Sequence, residues 1–470
     1  MHDLVLRAAR LRGHDRPVDI AIDAGRVSAL GAEVARGRDE RDLAGRLVVP
    51  GLWDAHVHFS QWARTRGRLD VSGVGSVAEA CARVRAVAAD GMMVGFGFRW
   101  ATWTEAPTAE ALDAARPAPT VLLSGDLHTA WVNTAAALEL GCAPGLLRED
   151  AAFAVERALD RSPATRTELA EAVRAASSRG VVGILDLDFA DNVASWATRI
   201  ADGVDGLRVD AGFYPDLLDA RVAAGARTGL AVDGTHGLLR HGPLKVITDG
   251  SLNTRTAHCV DPYPDGGTGM QSVAPADLAA LMGAAHGAGI ACAIHAIGDA
   301  ATAIALDAFA ATGADGSIEH AQLVSDVDIP RFAALGVTAS VQPEHALDDR
   351  DVADALWAGR TGRAFPLRAL LDAGARVALG SDAPVAPLDP WIAMSAAVHR
   401  TRGGRAPWHA EQSVTFDEAL AASTRPGIAV GAPADLVAVD TDPWTAGTDA
   451  LRATPVALTL VGGRVTHAAS

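Results

Sequence analysis

Positive charge is scarce in this 470-residue chain: 41 lysines and arginines face 57 aspartates and glutamates, giving a formal net charge of -16. Phosphate backbones are held by clustered Lys and Arg, so a nucleic-acid partner is excluded and a small-molecule substrate becomes the expectation. Cysteine is scarcer still. Cys81, Cys142, Cys259 and Cys292 lie far apart with no CxxC pair, which leaves neither a zinc knuckle nor a disulfide framework and predicts buried, reduced thiols in a cytoplasmic protein. No apolar run reaches the roughly 18 residues that a membrane span needs. The opening MHDLVLRAARLRG meets charge too early for a secretory leader, so no membrane partner is expected. The triplet GFG within GFGFRWATW lacks both the third glycine and the strand–turn–helix setting of a dinucleotide loop. Self-association as a homodimer stays open.

What is present is core-forming material. Hydrophobic residues make up 49% of the chain and charged residues 21%, the balance of a protein with a sizeable interior. The length suits a (β/α)8 barrel enlarged by insertions, with a small companion lobe. In the first 50 residues, VDIAIDAGRVSALG and RDLAGRLVVPG read as strand, Gly turn, strand; ADLVAVD and ALTLVGGRVTHA near the other end read alike. Residues 1–50 and 425–470 are therefore expected to pair into one β-sandwich. Between them, at 51–424, eight short apolar segments suit buried parallel strands: LVVPGLWDAHVH, VVGILDLD, LRVDAGFY, LKVITDG, ACAIHAIGD, SIEHAQ, VTASVQP and RVALGSDAP. Ala-rich helical stretches follow most of them, which makes repeated βα units the natural reading. The segment from about 59 to 180 is too long for one crossover and is assigned to an insertion over the barrel mouth.

Polar residues fall at the ends of these strands: Asp54, His56, His58, Lys245, His295, His320 and Asp382. In a barrel those ends converge on one mouth, so residues hundreds of positions apart would meet. His56 and His58 form an HxH pair whose imidazoles project to one side and suit zinc, iron or manganese. Lys245 is the unusual member. An ammonium inside a barrel carries a heavy desolvation cost unless it is paired or chemically changed, and with CO2 it becomes a carbamate able to bridge two metals. A lysine facing outward, or paired with Asp249, is the alternative. Asp382 can orient a water and accept its proton; a turn or helix-capping aspartate is its alternative.

In order along the chain, VVPGLWDAHVHF, LKVITDGSLNTRTA, IHAIGDAA, IEHAQLV, SVQPEH, LGSDAPVAPLDPW and GAPADLVAVD resemble signatures of the third amidohydrolase family, which includes N-substituted formamide deformylases. The resemblance implies a barrel with a terminal β-sandwich, metal ligands at His56, His58, His295 and His320, a lysine ligand at Lys245 that is N6-carboxylated, and a catalytic aspartate at Asp382 that also touches metal. Zinc is the expected cation, as one or two ions. The likeness extends to SGDLHTAWVNTAAAL and GLLRED, which puts Asp126, His128 and Glu149 near the substrate. Trp100 and Trp103 are offered as walls for an apolar substrate group, with core packing as the alternative. The loop from Ser251 to Met270, carrying Arg255 and Tyr263, is expected at the mouth, and Gln342 in SVQPEH is assigned to the substrate side. The expected reaction is hydrolysis of an amide, formamide or cyclic amide by metal-activated water, Asp382 moving the proton. A heterocycle deaminase and a catalytically inactive metal-binding scaffold remain the rival readings.

Overall fold

Short apolar runs without alternation are what a strand buried on both faces requires, and the computed structural model gathers all eight into one parallel sheet. It describes residues 1–88, 90–159, 164–425 and 427–469. The barrel strands are β1 (Leu52–Val57), β2 (Val181–Asp186), β3 (Arg208–Phe213), β4 (Leu239–Ile247), β5 (Cys292–Ala296), β6 (Gly316–His320), β7 (Thr338–Val341) and β8 (Arg376–Leu379). Each pairs with its neighbour in sequence. Just beyond the regular strands, Val57 bridges Ala383 in parallel, and the Asp382 backbone N–H donates to the His56 carbonyl at 2.8 Å. The chain is thus a closed (β/α)8 barrel.

Helices return the chain to the bottom of the barrel after every strand. Asp299–Thr312 follows β5 and ends at Gly313, whose φ of 65° is the left-handed stop that glycine supplies at lowest strain. Pro343–Leu356 follows β7, with proline in its first turn, where a missing N–H costs nothing. Leu244, Ile294, Ile318 and Val341 from adjacent strands pack in one core with Leu306, Phe309 and Phe332 from the surrounding helices.

Two further sheets come from the ends of the chain. One holds His2–Ala9, Val18–Asp23, Arg26–Gly31 and Gly37–Asp42; the other joins Leu47–Pro50 to Leu436–Val439, Val456–Val461 and Arg464–Ala468. Leu4, Leu6, Ile20 and Ile22 of the first pack against Val48, Leu436, Leu458 and Leu460 of the second, forming the β-sandwich. Two residues of the segment assigned to this lobe, Pro426 and Ser470, lie outside the described residues.

The insertion is more regular than its sequence predicts. Leu69–Asp70, Met93–Phe98, Thr120–Ser124, Thr129–Val132 and Gly145–Arg148 form a five-stranded sheet. The GFG triplet lies in its second strand, where a Cβ on Gly95 would approach Leu122 Cδ2 to 2.4 Å. These glycines serve close packing, not phosphate binding. All four cysteines are unpaired; Cys81, Cys259 and Cys292 are buried, and Cys142 is half-buried. Among the described residues no helix is long and apolar enough to cross a membrane.

Candidate metal-dependent active site

The strand ends bring the expected residues together. His56 lies one residue before the end of β1, and its Nδ1 lies 2.7 Å from Glu319 Oε2 on β6, which leaves Nε2 for the barrel mouth. The Nε2 atoms of His56 and His58 stand 3.4 and 3.3 Å from the same oxygen, Asp382 Oδ1. One ligand atom each from His56, His320 and Asp382 lies within 4.8 Å of the others. The His295 ring is 4.5 Å from that of His320, and its Nδ1 is fixed by Asp249 at 3.0 Å. Lys245 is 1% exposed, and among the described residues its Nζ has no hydrogen-bond partner. Asp249 is therefore the orienting group of His295, also accepting from the backbone of Ile297 and Gly298, and does not pair with the lysine.

The backbone is strained where the chemistry sits. His320 has φ 76° and Asp382 φ 56°, a left-handed conformation that side chains other than glycine, Asn and Asp rarely adopt. Between β8 and Asp382, Gly380 faces β1 so closely that a Cβ would meet His56 Cβ at 2.8 Å. Gly380→Ala is expected to push β1 and β8 apart; it should lower bound metal as well as the melting temperature, measured by metal analysis and calorimetry. Wild-type values of both would show that the seam yields.

Burial dominates the electrostatics. It lowers His56 to about 4, with Lys245 adding to the effect, and it drives His320 well below its ordinary range, helped by His295. Lys245 is also lowered by burial, against the pull of Glu319 and Asp382. Asp382 goes the other way: burial would raise it, but His56, the hydrogen bond from His58 and His320 hold it well below the usual carboxylate range. At neutral pH His56 and His320 are neutral imidazoles and Asp382 is an ionised carboxylate, the donor states that a divalent cation requires; His58 is instead raised, despite burial, by its hydrogen bond to Asp382 and by the charges of Asp382 and Asp188. Neighbouring Asp54 is raised to about 7 by burial despite accepting from the backbones of Ser381 and His56.

A cavity of about 300 Å³ opens on this cluster. Asp126, His128 and Glu149 of the insertion line it, together with Phe189, Met270 and His345. His128 Nδ1 stands 2.8 Å from Glu149 Oε2, and the other carboxylate oxygen accepts from Thr256 Oγ1 at 2.9 Å. Four expected substrate contacts are elsewhere. Trp100 and Trp103 pack into the core of the insertion sheet, with the Arg148 guanidinium 4.5 Å over Trp100. Arg255 is spent on Asp265 at 2.8 Å on the surface. Gln342 is buried and donates to the Ser340 carbonyl at 3.4 Å, off the cavity lining. Within the loop from Ser251 to Met270, Ser251, Leu252, Asn253 and Met270 reach the cavity, while Tyr263 is buried and donates to the Ala257 carbonyl.

Sequence reasoning missed Glu319 and His345, and it named Asp249 as a partner of Lys245 rather than of His295. His345 Nε2 lies 4.0 Å from Asp382 Oδ2 and has no hydrogen-bond partner among the described residues. The signal for all three was a second polar residue inside an already marked motif: IEHAQ, LKVITDG and SVQPEH.

The His128–Glu149 pair gives a pH prediction. Burial opposes ionisation of Glu149, but His128 and the hydroxyls of Thr254 and Thr256 prevail and bring it from 4.5 to about 2. A depressed carboxyl contributes stability that is complete above 4.5 and is lost as pH falls toward about 2. His128 is raised despite burial, chiefly by Glu149, so its share is complete below 6.5 and is lost as pH rises through the folded value. In urea unfolding, Glu149→Gln should flatten the acid limb of stability between 4.5 and about 2; an unchanged slope would show that the pair contributes nothing.

A model described as the amidohydrolase family matches residues 39–467. The chain is 28% identical over 511 residues to the protein LONG AFTER FAR-RED 3 of Arabidopsis thaliana, covering 94% of this chain and 86% of that one. It is 27% identical over 547 residues to an N-substituted formamide deformylase of Arthrobacter pascens, covering 98% of each. An uncharacterized metal-dependent hydrolase from Pyrococcus horikoshii OT3 superposes with a TM-score of 0.78 at 24% identity, over 95% of this chain and 99% of that one. The family match spans nearly the whole chain and every strand of the barrel: the chain belongs to the amidohydrolase family and is a metal-dependent hydrolase acting on carbon–nitrogen bonds.

Proposed function

We propose that this enzyme hydrolyses the amide or formamide bond of a small molecule with an apolar substituent, using one or two divalent ions, zinc first. The convergence of His56, His320 and Asp382 within 4.8 Å at the foot of the cavity carries the reading. His56, His58, His295, His320 and Asp382 would hold the cation. The Lys245 Nζ, without a hydrogen-bond partner among the described residues, fits as a further ligand once carboxylated: burial lowers the lysine from its ordinary value and so favours the unprotonated amine, which is the form that adds CO2, and the resulting anion answers the surrounding cation. When bound, such a cation polarises a carbonyl oxygen and acidifies water.

The residues of the chain do the rest. Asp382, ionised and fixed by the β1–β8 seam, accepts the proton of the attacking water at a carboxylate oxygen and returns it to the leaving nitrogen. Glu319 and Asp249 fix the ring orientation of His56 and His295, so that their free nitrogens face the mouth. Phe189 and Met270 are 56% and 47% exposed although they line the cavity. Apolar surface left open at a binding site is covered when ligand enters, which favours a substrate with an apolar substituent.

The test is metal analysis of the purified protein combined with a screen of N-formyl, N-acyl and cyclic amides, starting with N-formyl compounds because of the deformylase relative. Chelation should abolish turnover and zinc should restore it. Full activity in the stripped protein would overturn the reading, and ammonia release from heterocycles without amide cleavage would replace it with a deaminase.

A further inference from the structure

The His128 imidazole is held more firmly than a cavity wall requires. Glu149 binds its Nδ1, and Thr256, from the loop after β4, locks the other Glu149 oxygen, so the insertion and the barrel fix the ring jointly. Phe153 packs edge-on against it with ring centroids 5.2 Å apart. Leu127 and Glu149, flanking the pair in sequence or partnering it, have φ of 62° and 48°, strain that persists only where the surroundings impose it. The ring lines the same cavity as the metal cluster, and Nδ1 is the ring nitrogen that Glu149 engages, which leaves Nε2 for a ligand.

We propose that His128 is the specificity-determining anchor of the cavity, its Nε2–H donating to a second, uncharged acceptor oxygen that the substrate carries beyond the scissile amide. This rests on the amide-hydrolase reading above. The acceptor is an oxygen because His128 stands as an ion pair with Glu149 at 2.8 Å and is raised above its ordinary range by Glu149 and Asp126 despite burial, and a ring protonated on both nitrogens presents a donor at Nε2. It is uncharged because Asp126, Asp150 and Glu156, which neighbour His128 or Glu149 in the insertion, line the same cavity, and like charge there disfavours a carboxylate. The Arg99 guanidinium does not offset them, being engaged by Asp348 at 2.8 Å and Asp349 at 3.6 Å.

Three formamides test it on the metal-loaded enzyme: N-formylglycinamide, which has a second carbonyl oxygen; N-formylpropylamine, which has none; and N-formylglycine, whose second acceptor is charged. Wild-type enzyme should favour the glycinamide over the propylamine by roughly 10- to 100-fold in kcat/KM, the size of one hydrogen bond from a charged donor, and should carry the difference in KM. In His128→Leu that ratio should fall to about one; in His128→Gln, which keeps a donor, part of it should return. A ratio of two substrates on one preparation is independent of the folded fraction. A wild-type ratio near one, an unchanged ratio in the leucine variant, or N-formylglycine as the best substrate would overturn the proposal. If no formamide is cleaved, the function reading is what fails, and calorimetric binding of the same compounds decides: selective weakening of the glycinamide in His128→Leu upholds the anchor, and equal affinities overturn it.

Discussion

Asp382→Asn is expected to keep bound metal near the wild-type level while lowering kcat by on the order of 10²-fold or more, the scale of a general base. The substitution is well isolated. Asn is among the few residues that tolerate a left-handed backbone, so the φ of 56° at this position adds no new strain. The backbone N–H still closes the seam onto the His56 carbonyl. The amide oxygen can still face His56 and His58, both of which approach Oδ1, but an amide cannot accept and return a proton. Metal analysis and steady-state kinetics on one preparation decide the matter. Unaltered turnover would reduce Asp382 to a turn residue, and joint loss of metal and activity would make it chiefly a ligand.

Lys245→Ala should have an effect as large, through a different route. If the lysine is carboxylated, the variant should lose one of two bound ions and most of its activity, and bicarbonate with a short-chain carboxylic acid should restore part of both by filling the vacated space. Mass spectrometry of the gently handled wild-type protein should show the added CO2. An unmodified ammonium in a fully active enzyme with one ion would refute this and leave a mononuclear site. Among the described residues that ammonium finds no hydrogen-bond partner, and Asp249 is committed to His295.

The barrel was legible because a strand buried on both faces shows itself as an uninterrupted apolar run, and a polar residue at its end is conspicuous. His56, His58, Lys245, His295, His320 and Asp382 were found for that reason. Glu319 and Asp249 were not singled out as orienting groups, since their partners are 263 and 46 residues away and a side-chain pair across strands leaves no local periodicity. The insertion sheet was hidden by its glycines, which lower strand propensity while permitting the close approach of Gly95 to Leu122. Trp100 and Trp103 misled because an aromatic residue suits a core as well as a substrate wall, and here the insertion has a core of its own to fill. Arg255 lies in a loop that does reach the cavity, but its side chain turns outward to Asp265.

The seam between β1 and β8 has a consequence for how this protein is made. His56 is among the first barrel residues to leave the ribosome, whereas Asp382, whose backbone closes onto it, is among the last. The sandwich waits too: Leu47–Pro50 pairs with Leu436–Val439, so the sheet of residues 2–42 has no lasting partner until the segment at 436–461 has been made. Through most of synthesis the nascent chain therefore carries an open barrel edge and an uncovered apolar sheet, the surfaces that chaperones bind and that aggregate when unattended. A chain cut short before residue 376 would lack β8 and Asp382 together, so an unfinished copy could neither close its barrel nor assemble its catalytic aspartate, and premature activity on the ribosome is precluded by the order of the strands.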